Sequence, residues 1–207
     1  MSVSPRIVVL GGGGHAKVVI STLQAAGHIV AAVLDDDVRK WGSAVLGVPV
    51  VGPIEDADAT RYDLGVVAVG DNATRKTLSA RIRLSWLTVT HPTAYVHSSA
   101  QLGPGCVVFA GAVIQPEAIV GAHVIVNTAA SIDHDCRVSD FVHLAPGCHL
   151  SGIVRVGEGV LLGTGSSVLP GVTIGNWTSV GAGGVVIRDL PDRVVAVGVP
   201  AIPKRTL

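Results

Sequence analysis

The chain has 207 residues, with 15 Lys and Arg against 15 Asp and Glu and a formal net charge of zero. That balance leaves no basic surface for nucleic acid, and the length suits one large or two small domains. Aromatic residues make up 3% of the chain while Gly numbers 26, a composition that fits a thin core.

Met1 to Arg6 does not read as a signal peptide, because Arg6 precedes a short apolar run that ends in four glycines. Arg6 to Leu10 reads as a buried strand, followed by Gly11 to Gly14 and then His15-Ala16-Lys17. Val18 to Ala26 reads as a helix stopped by Gly27. Ile29 to Leu34 is a second strand ending in Asp35, Asp36 and Asp37. Residues 38–60 hold a loop, the apolar piece Val48 to Val51 and a small acidic helix near Glu55 to Ala59. Leu64 to Val69 is a further strand closed by Gly70. Asp71 or Asn72 caps a helix running to about Arg83, and Trp86 to Val89 is a last strand. Alternating strands and helices predict a small Rossmann-like α/β domain with a parallel sheet over residues 1–90, bounded by His91-Pro92. The Gly-rich turn suits phosphate at a helix N-terminus, and Asp35 and Asp36, about twenty residues on, stand where a ribose or base is read. The plainer reading, a tight turn and a solvated acidic loop, stays open. The domain is too short for a full two-halved dinucleotide fold.

From Val96 to Val186 every sixth residue is Val, Leu or Ile, and four steps past each lies a small residue, from Ala100 and Cys106 to Thr178 and Gly184. A period of six kept this long is neither helical nor a simple strand alternation; it is the signature of a hexapeptide β-solenoid. Three hexapeptides to a triangular coil predict about five coils at ~4.8 Å spacing, within a second domain over residues 91–207. Gly103, Gly121, Gly157, Gly163, Gly175 and Gly181 directly follow aliphatic positions and are expected to supply corner angles closed to other residues. Cys106, Cys136 and Cys148 fall on the small inward position, so they read as core filler in a reducing, cytoplasmic compartment rather than as nucleophiles, ligands or disulfides. The uncharged stretch between Glu158 and Arg188 is broken by Gly, Pro, Ser, Thr and Asn and carries the same period, so it is not a membrane span. The tail from Asp192 leaves the period. The flat sides of a three-sided prism invite a threefold assembly.

The run Asn127 to Cys136 is unusually polar. His134 lies two steps past Ile132, at a corner outside the core, with Asp135 beside it. Such a pair is a candidate general base and its support, against the plainer reading of a surface histidine. His143 and His149 each lie five steps past an aliphatic position and point to different sides. His134 and His143 are half a coil apart, so a site using both lies between two chains. A zinc hydrolyase sharing metal between chains and a non-catalytic nucleotide-sugar scaffold are the alternatives; no convergent His pair supports the first, and no metal is expected.

The segments VVLGGGGHAKVV, LDDD, VAVGDNATRKTL, HPTA, NTAASIDHDC and VGVPA together make the chain resemble the PglD-like and sialic acid O-acetyltransferase (NeuD) group of hexapeptide-repeat sugar acetyltransferases, over nearly its whole length. The resemblance implies an N-terminal nucleotide-sugar-binding domain, a left-handed parallel β-helix, a homotrimer, and acetyl-CoA bound between neighbouring helices. It implies His134 as catalytic base, with Asp135 where the best-known members have Glu. It puts His143 near the thioester, the Gly152 N–H on the oxyanion, and Gly181, Ala182 and Pro200 along the cofactor. Asn127 is implied near the acceptor amine, and Gly13, Gly14, His15, Asp35 and Asp36 on the nucleotide sugar. The implied reaction is direct N-acetylation of a nucleotide-linked 4-amino sugar in surface-polysaccharide or O-antigen synthesis. Sugar O-acetylation is the alternative, and UDP, GDP and CMP all stay open.

Overall fold

The computed structural model describes residues 4–206; Met1, Ser2 and Val3, at the start of the segment read as unlike a signal peptide, lie outside the described residues, as does Leu207. The chain divides into two compact units, Met1–Pro92 and Thr93–Leu207. Among the described residues no helix is long and apolar enough to cross a membrane.

The first unit is built on β1 (Ile7–Leu10), buried along its whole length. It pairs in parallel with β2 (Val30–Leu34) on one side and β5 (Leu64–Val67) on the other. Strands that continue to both sides of β1 create a switch point at its C-terminal end, where the Gly-rich turn lies. α1 (Gly14–Ala25) starts a full turn earlier than expected. Glycine lowers helix propensity, but Ala16, Val19, Ile20 and Leu23 form a buried i, i+3, i+4, i+7 stripe that fixes the helix from its first turn. Gly27, at φ +79°, ends it.

The apolar piece Val48 to Val51 becomes β4 (Val48–Gly52), and part of the expected loop becomes β3 (Ala44–Val45), the two forming an antiparallel hairpin. Leu46 and Gly47 take φ of 49° and 81°, the left-handed pair that a tight two-residue hairpin demands. β4 also pairs in parallel with β2. The acidic helix shrinks to a single 3-10 turn, Ile54–Asp56, too short to bury a face. α2 (Asn72–Arg81) is capped by the Asp71 carboxylate, which accepts the Thr74 N–H at 2.8 Å. The expected strand Trp86 to Val89 is split: β6 (Ser85–Trp86) joins the sheet beside β5, and Val89–Thr90 does not belong to it. The observed order is β3-β4-β2-β1-β5-β6.

The second unit is a three-faced parallel solenoid with 18 residues to the coil, as the pairing of Val96 with Ile114, Ile132, Leu150, Val168 and Val186 shows. That column belongs to the second face. The first face carries Ile125–Val126, His143–Leu144 and Leu161–Leu162, and the third carries Ile119–Val120, Arg137–Val138 and Arg155–Val156. The aliphatic column and the small residues four steps on form one continuous core. Cys106, Cys136 and Cys148 are 0% exposed within it and form no disulfide. Burial pushes the Cys136 and Cys148 thiols up to about 11.

The glycines act differently from expectation. The left-handed residue lies three steps past each aliphatic position, with φ between 54° and 74° from Gly105 to Gly183, and it is Glu117, His123, Asp135 or Phe141 as well as Gly. The glycines directly after the aliphatic positions answer instead to the close approach of coils. A Cβ on Gly103 would lie 2.6 Å from the Gly121 carbonyl carbon, and one on Gly163 2.6 Å from the Ala182 nitrogen. The left-handed steps also carry rings: Phe141 stacks on His123 with centroids 5.4 Å apart and planes 4° from parallel.

Candidate active site

In the solenoid ladder, backbone N–H groups one, three and five steps past the aliphatic residue donate to the next or previous coil, whereas the N–H at the second step does not. That step therefore accepts Pro, at Pro104, Pro116, Pro146 and Pro170. At some other corners a side chain fills the gap, Asp140 accepting the Ala122 N–H at 2.7 Å and Asn176 the Glu158 N–H at 2.9 Å, whereas the N–H groups of Ala110, Asp140, Thr164 and Ala182 find no acceptor among the described residues. At the corner between the second and third faces the succession is Pro116, His134, Gly152, Pro170. The His134 N–H donates to Asp133 Oδ1 at 2.8 Å, and the Gly152 N–H has no acceptor among the described residues.

The His134 ring lies over Gly152, where a Cβ would come within 2.6 Å of Nε2. Glycine is thus required at this position for the ring to occupy that place. His134 Nδ1 donates to Asp135 Oδ2 at 2.8 Å, which leaves the Nε2 lone pair outward as a proton acceptor. Asp135 reaches the ring because it occupies the left-handed step, at φ 60°. Its hydrogen bond, with the charge of Asp133 added, raises the His134 pKa above the usual histidine value. The corner thus presents a proton acceptor and an open backbone donor side by side.

Asn127 and His143 lie together on the first face. Asn127 Oδ1 accepts the Thr128 N–H at 2.9 Å, which orients the amide so that Nδ2 donates to His143 Nε2 at 3.1 Å. His149 is on the second face and bonds Ser131 Oγ at 2.8 Å. In a three-sided prism the corner between the second and third faces is opposite the first face. One chain therefore does not bring His134 to Asn127 and His143. Gly181 lies against Val197, whose Cγ1 is 2.8 Å from where a Cβ would sit. Ala182 is exposed next to it, and Pro200 occupies the turn between the strands Val194–Val197 and Ile202–Thr206.

At the switch point of the first unit, Gly13 and Gly14 are exposed, and a Cβ on either would meet nothing within 4 Å. The chain's own packing does not require glycine there, whereas close approach of a ligand would. Gly14 and His15 open α1, whose first turn holds no acidic residue. Asp35 and Asp36 part company. Asp35 is buried and committed: its carboxylate accepts the N–H of Gly12 at 2.6 Å and of Asp37 at 2.8 Å, and pairs with Lys40 at 2.8 Å. Burial pushes its carboxyl up, but Lys40 and the two N–H groups outweigh it and hold the pKa below the usual value. Asp36 is exposed, with Oδ1 accepting the Ile54 N–H at 2.9 Å and Oδ2 3.8 Å from Arg81. The sequence did not separate these two roles; β2 ends at Leu34, so Asp35 folds back onto the turn while Asp36 faces outward. Among the described residues no group of three His, Cys, Asp or Glu side chains is arranged to hold a metal ion.

A Gly-turn α/β unit joined to a hexapeptide solenoid with a corner His–carboxylate pair defines the class of hexapeptide-repeat sugar acetyltransferases. Residues 6–82 match the family model for the PglD N-terminal domain. The chain is 47% identical to perosamine N-acetyltransferase from Caulobacter crescentus, solved with CoA and GDP-perosamine, at a TM-score of 0.92 and 97% coverage of both chains. It is 38% identical to the acetyltransferase domain of PglB from Neisseria gonorrhoeae, at a TM-score of 0.90 over 97% of this chain and 100% of that one. Over 111 residues it is 44% identical to UDP-N-acetylbacillosamine N-acetyltransferase of Bacillus subtilis (strain 168), a match spanning 51% of each, so about half of that curated relative's length. The chain belongs to the PglD-like family of hexapeptide-repeat sugar acetyltransferases, whose solenoid is a left-handed parallel β-helix.

Proposed function

We propose that this chain transfers the acetyl group of acetyl-CoA to the amine of a nucleotide-linked 4-amino sugar. The observation that carries the reading is the corner of the solenoid, where the His134 ring lies over Gly152, whose N–H has no acceptor among the described residues. Relatives that carry GDP-perosamine with CoA, or act on UDP-N-acetylbacillosamine, support the substrate class.

Attack by the sugar amine on the thioester carbonyl forms a C–N bond and an oxyanion. His134 takes the proton lost by the amine, and the Asp135 carboxylate supports the resulting imidazolium. The Gly152 N–H donates to the oxyanion, a contact worth about 10²–10³-fold in rate for a preorganised donor. Collapse breaks the C–S bond, and the proton passes from His134 to the departing thiolate, giving amide and CoA thiol. Buried cysteines with raised pKa values fit a reaction without an acyl-enzyme.

Asn127 and His143 complete the site from a second chain, His143 beside the thioester and Asn127 beside the amine. A homotrimer in which each His134 corner meets a neighbour's first face supplies that geometry three times. Acetyl-CoA then runs past Gly181, Ala182 and Pro200 between neighbouring helices. Residues 1–90 read the nucleotide sugar, with Gly13, Gly14 and His15 on the diphosphate and Asp36 on the ribose, while Asp35 holds the Gly turn in place. Residues 91–207 perform the transfer. The three buried free thiols fit a cytoplasmic enzyme of surface-glycan synthesis.

The test is CoA thiol release with a panel of UDP-, GDP- and CMP-linked amino sugars, free sialic acid included. Release with a 4-amino sugar nucleotide is expected. Turnover confined to hydroxyl acceptors moves the reading to O-acetylation, and silence across the panel overturns it.

A further inference from the structure

Arg75, in the first turns of α2, is 1% exposed and is the largest fully buried side chain among the described residues. Its guanidinium donates from Nη1 to the carbonyls of Val69 at 3.0 Å and Gly70 at 3.2 Å, and from Nη2 to Asn72 Oδ1 at 2.8 Å. Those two carbonyls lie beyond the end of β5 at Val67, past the reach of the sheet ladder, and α2 begins only at Asn72. Nη1 serves both carbonyls while Nη2, fixed in the same plane, reaches the Asn72 side chain; a rigid planar guanidinium holds this spread of acceptors at once, and a point-like ammonium does not.

The segment that Arg75 ties down is one wall of the switch-point crevice. A Cβ on Gly11 would lie 3.0 Å from Val69 Cγ2 and 3.1 Å from the Ala68 carbonyl oxygen, so turn and wall are in direct contact. On the opposite side Asp35 holds the Gly12 N–H. The Gly11–Gly14 turn is thus pinned from the β2 side by a carboxylate and backed from the β5 side by a wall whose position an arginine fixes.

We propose that Arg75 is a positioning residue for the nucleoside diphosphate of the sugar substrate: it sets the 68–71 wall, and through it the backbone N–H groups of the Gly turn, without touching the ligand. The proposal rests on the reading of this crevice as the nucleotide-sugar subsite. A misplacement of an ångström in a ligand cradle costs binding out of proportion to its effect on the fold.

The measurement is calorimetric affinity of the full chain for UDP and GDP, together with KM for both substrates, in Arg75→Lys and Asn72→Ala. Arg75→Lys keeps the charge and loses the fork; it is expected to weaken nucleotide binding and raise the sugar-nucleotide KM about tenfold, with kcat and the acetyl-CoA KM little changed. Asn72→Ala leaves the bonds to both carbonyls, so it shifts the same quantities in the same direction by less, and it serves as the test where Arg75→Lys does not fold. A lower melting temperature with unchanged nucleotide affinity overturns the proposal and leaves Arg75 a purely structural residue. Failure of the unsubstituted protein to bind either nucleotide overturns the crevice reading and this proposal with it.

Discussion

At the residue scale the outcome turns on His134 and the two groups that shape it. His134→Ala is expected to lower kcat about 10²–10⁴-fold while the protein stays folded, as removal of a general base does; steady-state thiol release with a circular-dichroism control measures both. Asp135 raises the His134 pKa. In the proposed mechanism the base works in its neutral form, so transfer is expected to fall as pH drops through that raised value. Asp135→Asn removes the carboxylate, lowers the His134 pKa, and moves the acidic limb of the kcat/KM profile to lower pH. A limb that stays in place would show that Asp135 does not set the base. Gly152→Ala puts a methyl within 2.6 Å of His134 Nε2. Displacement of the ring then cuts transfer about as deeply as His134→Ala, with little change in melting temperature, because the ring is exposed and the core is untouched. The period of six made His134 legible by putting it outside the core. Nothing in the sequence showed that its ring rests on Gly152, since that contact links residues a whole coil apart.

At the element scale the glycines separate two constraints that look alike in a sequence. Gly163 is excluded from bearing a side chain by the neighbouring coil, 2.6 Å from the site of its missing Cβ, whereas Gly147 stands at a left-handed step with nothing within 4 Å. Gly163→Ala is therefore expected to lower the melting temperature far more than Gly147→Ala, whose cost is the ~1–2 kcal/mol of a left-handed residue; thermal denaturation of the two variants decides it. Equal shifts would mean that coil spacing does not depend on the first-step glycines. In the α/β unit, α1 begins earlier than its glycines suggest because its buried stripe outweighs their propensity. The apolar piece that becomes β4 was legible, but its hairpin with β3 was not, because Leu46 hides a left-handed turn position that Asn or Gly would have announced.

For the whole molecule, the prism topology is what ties the proposed mechanism to assembly. The His134 corner and the Asn127–His143 pair lie on opposite sides of one chain. On the proposed two-chain site, His134→Ala and His143→Ala homomers are each impaired. Random mixing of the two chains restores activity at about a quarter of sites, those that take the base from one variant and His143 from the other. Recovered turnover after co-refolding, followed against mixing ratio, checks this; no recovery would place the complete site within one chain.

The sequence by itself determined the solenoid, the burial of the three cysteines and the corner position of His134, because each follows from a strict period that repeats one local environment. It also announced the Gly turn with its acidic partner. Only tertiary structure decided that Asp35 is spent on holding that turn while Asp36 is left outward, that Arg75 braces the opposite wall, and that the His134 ring rests on Gly152. These depend on which groups far apart in the chain saturate one another's hydrogen bonds, and a residue pattern read along one dimension does not carry that information.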